Sequence, residues 1–211
     1  MTTVSGAFLV LAIVMAGLDW FAVARSNAVL EYVSKPAATA AFLAVAATLD
    51  VAHDARRAWL LVAFVLCTAG DVFLMLPRDA FVPGLASFAV AQILFAVSFA
   101  SGDTSGGRLV VGLVLVVPVA AALARRFIAA IGRAGHRELV APVVVYLVVI
   151  SAMAVSAIAG GSPVAIAGAV VFMLSDSLIA ETRFVSAREW HGVGIMVTYH
   201  LALAGLALGL L

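Results

Sequence analysis

Two carboxylates set in otherwise apolar runs are the groups of this 211-residue chain best placed to do chemistry. Asp176 sits in Phe-Met-Leu-Ser-Asp-Ser-Leu-Ile-Ala, and Asp71 follows Gly70 in the run that begins at Ala58. An Asp near the middle of a membrane helix costs about 2.5 to 3.5 kcal/mol on insertion scales, so it faces a protein interior and usually serves chemistry or transport. Two carboxyls held close in an apolar setting do not both ionise, and the expected state is a protonated acid beside a charged one. Such a pair supplies a general acid and a base or cation-stabilising partner. The plainer alternative is a structural acid satisfied by Ser175, Ser177, Thr68 or an arginine.

The elements that must position them are membrane helices. Hydrophobic residues make up 65% of the chain and charged ones 11%, and the mean hydropathy is +1.22, far from the composition of a soluble domain. The runs do not alternate as the strands of a membrane barrel would. Taking apolar runs of roughly 17 to 25 residues as spans, the sequence predicts an all-α integral membrane bundle of eight helices in a single domain. The spans are 4–24, 36–52, 58–76, 81–100, 109–124, 139–159, 163–180 and 192–211. Pro36 is expected to open the second, and Pro118 to kink the fifth. The longest link is the basic stretch from Arg125 to Glu138, so neighbouring spans should pack as antiparallel pairs. The amino-terminal region lacks the basic residues of a cleavable signal peptide, and none is expected. A single cysteine, Cys67, excludes a disulfide within the chain. A net charge of +1 with scattered basic residues gives no nucleic-acid footprint. Nothing in the sequence sets an oligomeric state.

Lys and Arg of short loops stay cytoplasmic. The odd loops hold Arg25, Lys35, Arg78, Arg125, Arg126, Arg133, Arg137, Arg183 and Arg188, whereas the even ones hold Arg56, Arg57 and Arg108. Both termini are therefore expected to face outward from the cell membrane. Arg outnumbers Lys eleven to one, a bias of GC-rich bacterial genes, and the expected membrane is a bacterial inner one. Asp71 lies six residues before Pro77 and Asp176 five before Glu181, so both fall roughly 8 to 9 Å inside the cytoplasmic edge. Tyr146 lies about 12 Å in from Glu138, and Tyr199 and His200 about 12 to 14 Å in from His191. Polar side chains from several spans thus converge in one leaflet, as a cavity opening toward the cytoplasmic side would require.

The supporting residues read as follows. Lys35 before Pro36 is either a topology marker or a partner for a phosphate or an aspartate, and Glu31 would neutralise it only if helix ran on through Pro36. Arg183, two turns beyond Asp176, is either an interfacial arginine or a head-group contact at the cavity mouth. Tyr199 and His200 are about 100° apart on a helix, so one of them is expected to point inward. Gln92 is either a helix-helix hydrogen bond or part of the site lining. Asp19 beside Trp20 reads as an interfacial end-of-helix pair. The arginines of the fifth loop read as topology determinants that lean on anionic lipids. A metal is not expected, since no His-x-x-x-His or His-Glu-x-x-His pair occurs and His53, His136 and His191 fall in or near loops; no other cofactor is implied.

In order along the chain, Lys35-Pro36, Gly70-Asp71 with Leu74, Gly84-Leu85 with Phe88, Ser175-Asp176 with Leu178-Ile179-Ala180 and Arg183-Phe184, and a Tyr-led pair in the last span resemble the YhhN-type lysoplasmalogenases. The resemblance implies a metal-free membrane hydrolase acting on the vinyl ether bond of lysoplasmalogens, lysophospholipids drawn from the surrounding membrane lipid. It implies Asp71 and Asp176 as the catalytic pair. The residues themselves add Lys35, Arg183, Tyr199, His200, Tyr146 and Gln92 as the expected substrate-binding set, with Lys35, Arg183 and Tyr199 at the phosphate end. The chain departs from the family pattern at Gln92, Phe95 and Leu203, where His, Tyr and Gln would be expected. From another class, the aspartates could serve a small transporter or proton-coupled channel as a relay. Against that, the polar residues gather at one edge and no inverted repeat joins the two halves. A retinal-type pigment protein would need a mid-span Lys, and the single Lys lies at a helix edge.

Overall fold

A computed structural model describes residues 1–51, 54–76 and 80–211. Ala52, His53, Pro77, Arg78 and Asp79 lie outside the described residues, and with them the expected end of the second span, one histidine of the metal argument, and one marker each of orientation and depth. Among the described residues there are eight long helices and no strand: α1 (Thr3–Ala24), α2 (Ala28–Thr48), α3 (Asp54–Met75), α4 (Phe81–Ala100), α5 (Gly106–Ala134), α6 (Val140–Gly160), α7 (Pro163–Phe184) and α8 (His191–Leu208). All eight are long and apolar enough to cross a membrane.

Four helices run further than expected: α3 starts at Asp54, four residues early, and α2, α5 and α7 extend as follows. α2 starts at Ala28 because the Asn27 side chain accepts the Leu30 N–H at 3.1 Å, an N-cap that the apolar reading overlooked. Pro36 therefore lies inside α2 and does not open it. It forgoes the one hydrogen bond to the Tyr32 carbonyl, a loss that neighbouring groups in a helix bundle can absorb. α5 continues through Pro118 and through Arg125, Arg126 and Arg133, and stops where Gly135 takes φ +83°. The basic stretch is thus the last turns of a helix and not a loop, and only Gly135, His136 and a 3-10 turn, Arg137–Leu139, connect it to α6. There Arg126 grips Glu181 of α7 through two hydrogen bonds, of 2.8 and 2.6 Å. α7 extends to Phe184, so Asp176 is eight residues from its helix end while Asp71 is four from the end of α3.

Consecutive helices pair as α1 with α2, α3 with α4, α5 with α6 and α7 with α8. Contacts of α2 with α3, α4 with α6, α6 with α7, and α8 with both α1 and α2 close the bundle. Small residues set the tightest of these approaches. A Cβ on Gly168 would lie 2.7 Å from the Leu206 nitrogen, and one on Gly205 2.7 Å from the Gly168 Cα, so α7 and α8 touch backbone to backbone. Between α3 and α4, Gly70 receives the edge of the Phe88 ring and Gly84 the Leu74 side chain. Gly70 and Gly84 thereby hold α4 against α3 next to Asp71. At the opposite end, Arg56 donates to the Gly209 carbonyl at 2.9 Å and Arg108 to the Ala159 carbonyl at 3.0 Å, capping the ends of α8 and α6.

Candidate active site

The site is built from α2, α3, α4, α6, α7 and α8 around a buried aromatic layer. Phe88 and Phe172 each meet Tyr199 edge to face, at 5.9 and 5.6 Å between centroids. Phe95 adds to the layer through Phe64 and Phe172. This packing fixes the Tyr199 ring so that its hydroxyl donates to Asp71 Oδ2 at 2.9 Å, and the Thr39 hydroxyl donates to the same oxygen at 2.7 Å. Asp71 is only 4% exposed. One turn before Thr39 on α2, Lys35 is also buried, and it bonds Glu31 at 2.7 Å. The ion pair with Glu31 reverses the expectation for that residue, because α2 does run on through Pro36 and brings the two side chains one turn apart.

Asp176 accepts a hydrogen bond from the Tyr146 hydroxyl and is partly open to a cavity of about 40 Å³ walled by Leu74, Phe81, Leu85, Phe88 and Phe184. That is room for about one or two waters. Phe88, whose ring edge lies on Gly70 beside Asp71, also walls the cavity at Asp176, so the two carboxyls flank one aromatic side chain. The Gln92 amide neighbours Tyr146, yet neither of its polar atoms has a hydrogen-bond partner among the described residues. A larger hollow of about 380 Å³ lies beyond the cavity, lined by Phe81, Phe184, Arg183, His136 and Glu138. Phe81 and Phe184 are common to both spaces and meet edge to face at 5.9 Å, with the Arg183 guanidinium 4.1 Å over the Phe81 ring. An aromatic pair therefore stands between a polar vestibule and the cavity at Asp176.

Asp71, Asp176, Tyr146, Tyr199 and Gln92 are thus gathered, Lys35 stands one turn away, and Arg183 lies at the outer hollow. His200 is elsewhere. It is buried as Tyr199 is, so both residues of the pair point inward, because α8 packs on α7 with one side and on α1 and α2 with another. The Trp20 indole N–H donates to His200 Nδ1 at 3.0 Å, and the imidazole stacks near Phe42. Asp19 is fully buried, not interfacial, and accepts from the Ser34 hydroxyl at 3.2 Å. Thr39 escaped the sequence reading although its spacing from Lys35, four residues along one helix, was the available signal. Leu203 and Phe95, at departures from the expected pattern, are fully buried in the core. Among the described residues no three His, Cys, Asp or Glu side chains converge as a metal set.

Comparison with known proteins adds to this geometry. The YhhN family model matches residues 30–210. A protein named lysoplasmalogenase from Mycobacterium tuberculosis is 33% identical over 178 residues, covering 80% of this chain and 67% of that protein, and the Mycobacterium bovis protein of the same name matches equally. Human lysoplasmalogenase TMEM86B is 30% identical over 140 residues, 66% of this chain and 58% of that protein. No solved structure gives a significant match.

Proposed function

The chain belongs to the YhhN family, and on that premise we propose that it is a membrane hydrolase that cleaves the vinyl ether bond of a lysoplasmalogen-type lysophospholipid, releasing a fatty aldehyde and a glycerophospho-alcohol. The observation that carries the reading is a carboxyl, Asp176, opening onto an apolar cavity walled by Phe88, whose ring edge lies on Gly70 beside the second carboxyl, Asp71. Vinyl ether hydrolysis needs an acid that protonates carbon and a negative charge to meet the cation that results.

The surroundings divide those roles. Asp71 accepts two hydrogen bonds on one oxygen, from Thr39 and Tyr199, an arrangement that suits a carboxylate. Asp176 faces the cavity and, among the described residues, accepts one bond, from Tyr146, on Oδ2, leaving Oδ1 to carry the transferable proton. The proton passes from Asp176 to the β-carbon of the vinyl ether, the double-bond pair forms the new C–H bond, and an ether oxygen lone pair makes the oxocarbenium ion. Asp71 stabilises that cation. Water adds to the cationic carbon and its proton returns to the carboxylates; the hemiacetal then loses its hydroxyl proton, its C–O bond breaks, and the leaving alkoxide takes up a proton. The sum is one vinyl ether and one water giving one aldehyde and one alcohol. No residue need form a covalent bond with the lipid.

Arg183 and His136 in the outer hollow suit the phosphate end. That hollow lies at the bundle end that carries the excess of basic residues, so the positive-inside rule puts it on the cytoplasmic side, with both termini outward. The test is hydrolysis of a lysoplasmalogen by the purified protein in detergent made up in D₂O, with the aldehyde trapped as it forms. Aldehyde carrying one deuterium on the carbon next to the carbonyl is the expected product. Tight lipid uptake with no aldehyde would overturn the reading in favour of transport.

A further inference from the structure

The cavity at Asp176 is too small for a hydrocarbon chain, and the space that continues it points to where the chain goes. Behind Tyr146 and Asp176 lies a second hollow of about 30 Å³ between α5, α6 and α7, which shares Val143, Tyr146, Asp176 and Ala180 with the first. Leu147, 9% exposed, forms its outer wall. The other side of Leu147 lines a groove of about 520 Å³ between α5 and α6. Leu113, Val117, Ala120, Ala124 and Val148 line this groove, and the Ser151 hydroxyl in it is turned back onto the Leu147 carbonyl at 2.6 Å.

We propose that the groove between α5 and α6 is the subsite for the substrate's hydrocarbon chain, entered past Leu147 from the hollow behind Asp176. The inference rests on the hydrolase reading for the identity of the lipid. Its physical basis is the order of the spaces: a polar vestibule, an acid, and an apolar groove lie in the sequence in which a lysoplasmalogen carries its phosphate, its vinyl ether and its chain. α5 and α6 close on each other at Gly112, where a Cβ would lie 3.3 Å from Val155, and the groove runs from there along Ala120 and Ala124. From Leu113 to Ala124 is eleven residues, about 16 Å. A chain entering near Leu147 would therefore meet an end stop at Gly112. The small side chains at Ala120 and Ala124 leave the space open, and a larger one would fill it.

Two readouts test this. The first is a chain-length profile of hydrolysis, octenyl against hexadecenyl lysoplasmalogen, for wild type, Ala120→Phe and, on the outward face of α5, Val114→Phe. Ala120→Phe should lower kcat/KM for the long chain at least about tenfold while leaving the short chain within about threefold, and Val114→Phe should change neither. Equal loss for both chains, or no loss, would overturn the subsite. The second readout needs no turnover: a lysophospholipid with a mid-chain diazirine is photolysed on the purified protein, and the labelled peptides are identified. Label on α5 and α6 that unlabelled lysophospholipid displaces and Ala120→Phe abolishes is the expected result. Label on other helices, or label that diacyl lipid displaces equally, would overturn it. Failure of wild type to hydrolyse any chain, with the displaceable label in place, would reject the hydrolase reading and keep the subsite.

Discussion

Tyr146→Phe isolates the contribution of one hydrogen bond to the proposed proton transfer. The Tyr146 hydroxyl donates to Asp176 Oδ2, and the ring is 7% exposed, so Phe keeps the packing and removes only the donor. Before transfer the acceptor is a neutral acid, and after it a carboxylate. A neutral hydrogen bond contributes about 0.5 to 1.5 kcal/mol and one to a charged group about 1.5 to 3, so the bond strengthens by roughly 1 to 1.5 kcal/mol as the proton leaves. At about 1.4 kcal/mol per decade, Tyr146→Phe should lower kcat about tenfold and leave KM nearly unchanged. Steady-state aldehyde release over a range of substrate concentrations measures both constants, and thermal unfolding in detergent checks that the fold is retained. A kcat within about twofold of wild type would refute the reasoning, because the bond would then not respond to charge at Asp176. A loss beyond about a thousandfold would refute it differently, by making Tyr146 the proton donor.

Other expectations follow from the surrounding geometry. Lys35→Met removes the buried cation that pairs with Glu31 one turn from Thr39; it should lower both the melting temperature and kcat, with Lys35→Arg recovering part of each. Gly168→Leu forces a side chain into the Leu206 backbone, at least about 1 to 3 kcal/mol of overpacking, and should lower the melting temperature well below that of Gly6→Leu, whose Cβ meets nothing within 4 Å. Cys67 is fully buried, so new surface cysteines can be labelled over a low background. In intact cells a membrane-impermeant maleimide should label Ser101→Cys and spare Ser186→Cys; the reverse pattern would invert the proposed orientation.

How much of this was legible in the sequence depended on which physics decided each feature. Long apolar runs imply membrane helices almost independently of context, and Asp71 and Asp176 stood out because charge is rare in such runs. What was missed turned on packing partners. The start of α2 was decided by the Asn27 cap and not by hydropathy, and those eight residues of added helix, about two turns, bring Lys35 and Glu31 together as an ion pair. Arg125, Arg126 and Arg133 looked like a loop by charge, yet arginine is a good helix former and α5 continued until Gly135 ended it. His200 was misplaced because α8 lies against three other helices and so has more than one buried face, and no periodicity in α8 announces which helices those are; Asp19 is buried because α1 turns that residue onto Ser34 of α2. The groove between α5 and α6 was invisible for a similar reason: its volume is set by how the side chains of two helices pack.

Aldehyde release by Asp176→Asn and Asp71→Asn, each against wild type, reaches the central claim most directly. Both amides keep the shape of the side chain and remove the acid or the charge. Each should lower kcat by roughly a hundredfold to ten-thousandfold, the range for a positioned acid or base, while lysophospholipid binding persists. Retention of a tenth or more of wild-type turnover by either variant would contradict a mechanism that needs both carboxyls.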